Sequence, residues 1–113
     1  MEDYIIINLE NDDEDEFDLE GKNVAQIKVF NTKGEDITSN CRVIFELSEE
    51  ALIGLGTELI RLSKRFKDGK HIHLVPSDKQ FISQSMGIFL TSKSCEMIIG
   101  CTEFGKIEDH LDD

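Results

Sequence analysis

Apolar and polar residues alternate differently in successive parts of this chain, and the first part has the spacing of β-strands. Residues 4–9 form a continuous run rich in isoleucine, which is typical of a short buried strand. Residues 24–30 and 37–47 alternate between apolar and polar side chains, as half-buried strands do. The turn sequence of residues 31–34 separates these two runs, and its Gly34 can take a positive φ. We therefore predict a meander of three antiparallel strands.

The middle of the chain has helical spacing instead. Ser48 can cap a helix through its hydroxyl, and Glu49 and Glu50 follow in the first turn, where the helix dipole favours negative charge. The apolar residues that recur at spacings of three and four are Leu52, Leu55, Leu59, Leu62 and Phe66. Basic residues follow, and Gly69 is a suitable stop. The pattern predicts a helix of roughly five turns with this leucine stripe against a sheet.

Two glycines, Gly54 and Gly56, lie inside the predicted helix. Each costs up to about 1 kcal/mol relative to alanine, so some advantage should offset the loss. A phosphate-binding loop would place such glycines between a strand and a helix, not within a helical stripe. We therefore expect them to permit close approach of the helix to the sheet.

The last third of the chain returns to strand patterns. Residues 71–75, 86–91 and 95–102 are apolar runs, and the polar residues 92–94 resemble a hairpin connection between the last two. Residues 106–113 form a polar, acidic tail with little to pack. We predict one α+β domain over residues 1–113, with a mostly antiparallel sheet in the order βββ-α-βββ and the amphipathic helix packed on one face.

Charge is the most informative part of the composition. The 113 residues carry 24 acidic and 12 basic side chains, for a net charge of −12, and residues 1–50 alone hold 15 of the acids and 4 of the bases. Residues 10–20 form an acidic loop with eight carboxylates and no base. Such a surface repels phosphate backbones and anionic membranes, and it attracts a cation or a basic protein. The predicted partner-binding residues are Asp12, Asp13, Glu14, Asp15, Glu16 and Asp18.

Two other interpretations of the acidic loop stay open beside a partner-binding role: a solvated loop without a ligand, and weak binding of a divalent ion. An EF-hand is excluded, because the pattern needs a glycine at its sixth position, where Asp18 stands if Asp13 is the first.

Catalytic and metal-binding patterns are weak. His71 and His73 fall on one face of a predicted strand, but a zinc site needs further ligands that the sequence does not place nearby. No serine lies in a G-x-S-x-G elbow, and no glycine-rich phosphate loop is present. We expect no catalytic residues, no metal and no cofactor, and hence a protein that is not an enzyme.

The cysteines and the apolar runs bear on cellular location. Cys41, Cys95 and Cys101 are odd in number and each lies in an apolar stretch, so we expect small buried side chains in a reducing compartment. The first residues lack the pattern of a signal peptide, and no run reaches the roughly 18–20 apolar residues of a membrane span. These features predict a cytoplasmic protein.

Three segments between residues 47 and 100 carry a family resemblance: SEEALIGLGTELIRLSKRF, HIHLVP and SKSCEMIIG. Their arrangement resembles immunity protein family 32 of bacterial polymorphic toxin systems. The resemblance implies a small cytoplasmic protein that binds and neutralises a cognate toxin. It does not include the acidic loop.

Charge and resemblance point to the same function. A toxin domain such as a nuclease has a basic cleft, which an acidic inhibitor can occupy by imitating the substrate's charge. We therefore expect a non-enzymatic immunity or inhibitor protein with a basic toxin as partner, without affinity for nucleic acid or membranes. An acidic adaptor or chaperone-like module is the alternative, and a small metal-dependent enzyme using His71 and His73 is a third. Homo-oligomerisation is left open, because an exposed edge strand could pair two copies.

Overall fold

A computed structural model describes residues 5–10, 17, 20–78 and 82–111 and confirms the α+β class. The chain divides into two compact units, Ile37–Glu103 and Met1–Asp36 with Phe104–Asp113. This division does not decide the prediction of one domain. The described elements are a 3₁₀ helix at Thr38–Asn40, helix α1 at Glu49–Ser63, strand β1 at His71–Leu74, strand β2 at Met97–Gly100 and a 3₁₀ helix at Ile107–His110.

Helix α1 begins where the sequence predicts. The Ser48 hydroxyl accepts a hydrogen bond from the Ala51 N–H at 3.1 Å, as a helix cap should. The helix ends at Ser63, because the N–H groups of Lys64 and Arg65 bond to carbonyls only three residues back. The predicted stop at Gly69 is wrong. Gly69, with φ +91°, lies in the turn before β1 and donates its N–H to the Cys101 carbonyl at 2.8 Å.

The covered face of α1 differs from the predicted leucine stripe. Leu52 is 60% exposed, Leu59 is 40% exposed, and Phe66 lies beyond the helix end. The half-buried residues on one side of the helix are Ala51, Gly54, Leu55, Glu58 and Leu62. Since successive helical residues are ~100° apart, this face is turned by about 60° from the predicted stripe. The prediction that the stripe as a whole is buried is therefore wrong.

A close backbone contact explains why the covered face of α1 is rotated from the predicted stripe. Gly54 lies against Gly87, and a Cβ at Gly54 would come within 2.9 Å of the Gly87 carbonyl carbon. Gly87, with φ +77°, and Met86, with φ +55°, belong to a tight turn between Ser85 and Ile88. The predicted close approach is thus found at Gly54, against a turn instead of a sheet. Gly56 has open space where its Cβ would stand.

The two strands pair antiparallel, with Ile72 opposite Ile99. The ladder continues beyond β2 through a bond of 2.7 Å from the Cys101 N–H to the Lys70 carbonyl. Burial is concentrated here: the buried residues described are Leu74, Ser77, Ile88 and Cys101. Leu74 is the most enclosed, at 1% exposed. Leu74, Ser77 and Ile88 lie at the end of β1 and in the turn facing α1, whereas Cys101 lies beside the start of β1.

The predicted number of strands is larger than the number found. Among the described residues, the runs at 5–9, 24–30, 37–47 and 86–91 contain no strand, and α1 packs on neither β1 nor β2. The predicted turns are present. Asn31 accepts the N–H groups of Lys33 and Glu35, as in an Asx turn. The turn at residues 92–94 leads into β2 but does not join two strands.

Two features bear on the expected location. Cys101 is buried as predicted, whereas Cys41 and Cys95 are exposed, so burial of all three is corrected. All three thiols are free. Across the part of the chain that the structure describes, no helix combines the length and apolar character needed to cross a membrane.

Candidate acidic partner-binding surface

The six predicted partner-binding residues lie outside the described residues. These are Asp12, Asp13, Glu14, Asp15, Glu16 and Asp18. Around them the structure places Glu10, Phe17 and Glu20 of the same acidic loop. Glu10 donates its backbone N–H to the Asn8 side chain at 3.0 Å, and the side chains of Glu10 and Glu20 are exposed. The described ends of the loop therefore present their carboxylates to solvent.

The acidic loop ends in a sharp reversal. Glu20 and Gly21 have φ values of +62° and +65°, the left-handed backbone conformation at two successive positions. This pair of conformations is typical of a type I′ turn. Lys22 follows, and its ammonium lies 3.9 Å from the Glu20 carboxylate in a largely exposed pair. An exposed pair of this kind contributes little to stability.

The C-terminal tail meets the acidic loop at this turn. The Ile107 N–H donates to the Gly21 carbonyl at 2.7 Å. The 3₁₀ helix Ile107–His110 then places Glu108 and Asp109 near the end of the loop. The tail is also held at its far end, since His110 Nε2 lies 2.7 Å from the Phe104 carbonyl. These bonds hold the tail without burying it, since its described residues 106–111 are all exposed, as the prediction of a tail with little to pack expects.

The two tail carboxylates differ in whether they accept hydrogen bonds. The Asp109 carboxylate accepts the Lys106 N–H at 3.0 Å, which fixes it as part of the turn. Glu108 is exposed and makes no hydrogen bond or ion pair with a described residue. Glu108 is thus the tail residue that can extend the acidic surface. Sequence spacing could not reveal it, because Gly21 and Ile107 are far apart along the chain.

Phe17 is an apolar residue in the described part of this region, and the sequence prediction left it out of the site. It is 62% exposed, although it is a large aromatic side chain. Aromatic side chains often carry much of the energy of protein interfaces, surrounded by charged residues that steer association. An aromatic residue within a run of carboxylates was the signal that could have identified it. We define the acidic surface as residues 10–20 with Glu108.

The histidine pair forms a separate feature on β1. The His71 and His73 rings lie 5.1 Å apart, as expected for one strand face. His73 Nδ1 is 3.4 Å from the Glu96 carboxylate, and His71 Nδ1 is 3.2 Å from the Gly69 carbonyl. Within the described ranges, no three His, Cys, Asp or Glu residues gather as a metal site would require. The absence of metal at His71 and His73 stays a prediction for direct measurement.

A small depression lies beside this pair. It has a volume of about 50 Å³ and is lined in part by His73, Leu74 and Ile88. Sites for substrates or cofactors usually measure roughly 300–1,000 Å³, so this depression has room for a few water molecules only. It offers no basis for a small-molecule function.

Comparison with known proteins gives no match: no family model, no curated protein and no solved structure matches this chain. The resemblance to immunity protein family 32 accordingly stays a prediction. Function must be argued from the residues of the chain itself.

Proposed function

We propose that this chain is a non-enzymatic immunity or inhibitor protein that binds and neutralises a cognate basic toxin through its acidic surface. The observation that carries the proposal is the concentration of charge: eight carboxylates in residues 10–20 without an intervening base. The resemblance of residues 47–100 to immunity protein family 32 names the class of partner.

The contact between the tail and the loop supports the same proposal. The bond from the Ile107 N–H to the Gly21 carbonyl adds the free carboxylate of Glu108 to the charge of the loop. Like charges held near one another repel, which makes such a cluster costly for an isolated chain. A basic partner relieves that repulsion. Relief of the repulsion between the carboxylates then contributes favourably to the free energy of binding.

The proposed mechanism has two stages. Long-range attraction between the acidic surface and a basic cleft speeds the first encounter, and this effect falls with rising salt. Burial of the exposed Phe17 ring against the partner then stabilises the complex. The toxin is inhibited because its cleft is occupied, so the inhibitor needs no chemistry of its own.

The experiment is a protection assay in bacterial cells. Proteins captured by cross-linking to the chain are expressed as candidates, and each is tested for toxicity with and without the chain. The proposal predicts a basic captured protein that stops growth by itself and is neutralised by the wild-type chain. A captured partner without toxicity would favour the acidic adaptor.

Two variants test whether the acidic surface is responsible. The first replaces the six carboxylates at positions 12, 13, 14, 15, 16 and 18 with their amides. The control removes the same charge elsewhere, by changing Glu46, Glu49, Glu50, Glu58, Glu96 and Glu103 to glutamine. We expect protection to be lost with the first variant and retained with the control. Equal protection by both would contradict a role for the acidic surface.

Two finer predictions belong to this proposal. We place the protein in the cytoplasm, where immunity proteins act and where free thiols such as Cys41 and Cys95 persist. The six-strand order βββ-α-βββ also stays a prediction beyond the two strands described. Hydrogen exchange would test it, because paired strands at residues 24–30 and 37–47 would protect their amides.

A further inference from the structure

Helix α1 has a second apolar face, on which most of the large side chains are exposed. Its large apolar residues Leu52 and Ile53 are 60% and 64% exposed, and Leu59 is 40% exposed. Ile60, which is half-buried, lies on the same side, since residues seven apart share a helix face. Gly56, also half-buried, stands in the middle of this face and of the helix Glu49–Ser63, and beyond its chain neighbours and the helix's own backbone no atom lies within 4 Å of where its Cβ would be. The face is therefore apolar at both ends and flat at its centre.

We infer that this face of α1 binds the same face of a second copy of the chain, with the two helices antiparallel and Gly56 at the two-fold axis. A two-fold axis through Gly56 places the residues before Gly56 in one copy opposite the residues after Gly56 in the other. Leu52 and Ile53 of one copy then lie level with Leu59 and Ile60 of the other. Glycine at the axis lets the helices approach closely, which offsets the cost of Gly56 within α1. This inference is independent of the proposed toxin binding.

Charge complementarity favours a second copy of the chain as the partner that binds this face. Glu49 begins the helix and Lys64 follows its last residue, and neither forms an ion pair with a described residue. In the antiparallel arrangement, Glu49 of each copy lies close to Lys64 of the other, so the dimer gains two ion pairs. The opposed helix dipoles add a further attraction. A parallel pair would instead bring Glu49 against Glu49.

Sedimentation equilibrium of the full chain, from ~1 µM to ~500 µM, tests the dimer. Two helices of about 22 Å give a small interface, so we expect micromolar association. Gly56→Leu should weaken it about tenfold or more, because two leucines would meet at the axis. The same variant should keep or raise the thermal midpoint, since leucine favours helix. Thr57→Leu adds similar bulk about 100° around the helix from Gly56, away from the two-fold axis, and should not weaken association.

A charge exchange tests the antiparallel register. Glu49→Lys and Lys64→Glu should each weaken the dimer about fivefold, since each puts like charges together. The double variant restores both pairs and should return association to near the wild-type value. A wild-type chain that is monomeric throughout the range overturns the inference. Equal effects of Gly56→Leu and Thr57→Leu, or a double variant as weak as the single ones, would overturn it as well.

Discussion

The Gly54 and Gly87 contact and the acidic surface are the two regions of this molecule that differ most in what their residues do. The first is built from small uncharged residues whose backbones touch, so its geometry is fixed by shape. The second is built from carboxylates that repel one another, so its composition opposes compactness. Shape therefore fixes the Gly54 contact within the unit Ile37–Glu103, whereas the acidic surface, under the proposed function, gains from a basic partner that offsets its repulsion.

The largest effect on stability should come from Leu74, the most enclosed side chain described, at 1% exposed. Leu74→Ala removes three carbons from a packed site, and we expect a loss of about 2–5 kcal/mol in the free energy of unfolding. Ile98→Ala is the control, because Ile98 lies on the paired strand but is 56% exposed. Urea denaturation measures both. Equal losses would show that burial at the end of β1 does not control stability.

Gly54 and Gly56 provide the sharpest matched pair, because one substitution in one helix should have opposite effects. Gly54→Ala places a Cβ against the Gly87 backbone, and we expect destabilisation of about 1–3 kcal/mol. Gly56→Ala places its Cβ in open space and should stabilise by up to about 1 kcal/mol. Thermal unfolding of the two variants would measure the difference. A shift of the same sign in both would mean that the Gly54 contact is not tight.

Features of the fold that depend on neighbouring residues could be predicted from the sequence, whereas features that depend on distant contacts could not. The cap at Ser48 depends on residues three positions apart, and the sequence predicted it correctly. The rotation of α1 depends on Gly87, a distant residue whose approach no local pattern encodes. The strand at His71–Leu74 was also predicted, but its pairing with Met97–Gly100 is long-range, and the sequence instead favoured a hairpin around residues 92–94.

The candidate site shows the same division. Composition identified the acidic run, because charge is visible residue by residue. It could not place Glu108 beside that run, since the link is a backbone hydrogen bond between Gly21 and Ile107. The sequence also did not predict that the loop ends with Glu20 in a left-handed conformation. The sequence therefore predicted which residues are charged but not how those residues are arranged in space.

Glu20 gives a smaller test within the acidic surface itself. A non-glycine residue at φ +62° is unfavourable, and asparagine tolerates this conformation better than glutamate. Glu20→Asn should raise the free energy of unfolding by about 0.5–1 kcal/mol. Glu20→Gln removes the same charge without the conformational preference and serves as the control. If glutamine stabilised as much as asparagine, relief of repulsion would be the cause, and the turn would be unstrained.

Phe17 should show no effect on stability and a clear effect on binding. Its ring is 62% exposed, so Phe17→Ala should change the free energy of unfolding by less than about 0.5 kcal/mol. Once a toxin is identified, the same change should weaken its binding by about 1–2 kcal/mol, mainly through faster dissociation. Surface plasmon resonance would measure both rate constants. Unaltered dissociation would remove Phe17 from the proposed interface.

The most direct test of the central claim is the association rate constant with the cognate toxin, measured by stopped flow as salt is raised. Exposed charges are screened over about 8–10 Å near physiological ionic strength, so the wild-type rate should fall steeply. The variant with amides at positions 12, 13, 14, 15, 16 and 18 should bind about tenfold or more slowly at low salt and depend less on salt. Identical rates and identical salt dependence in the two proteins would contradict a partner-binding role for the acidic surface.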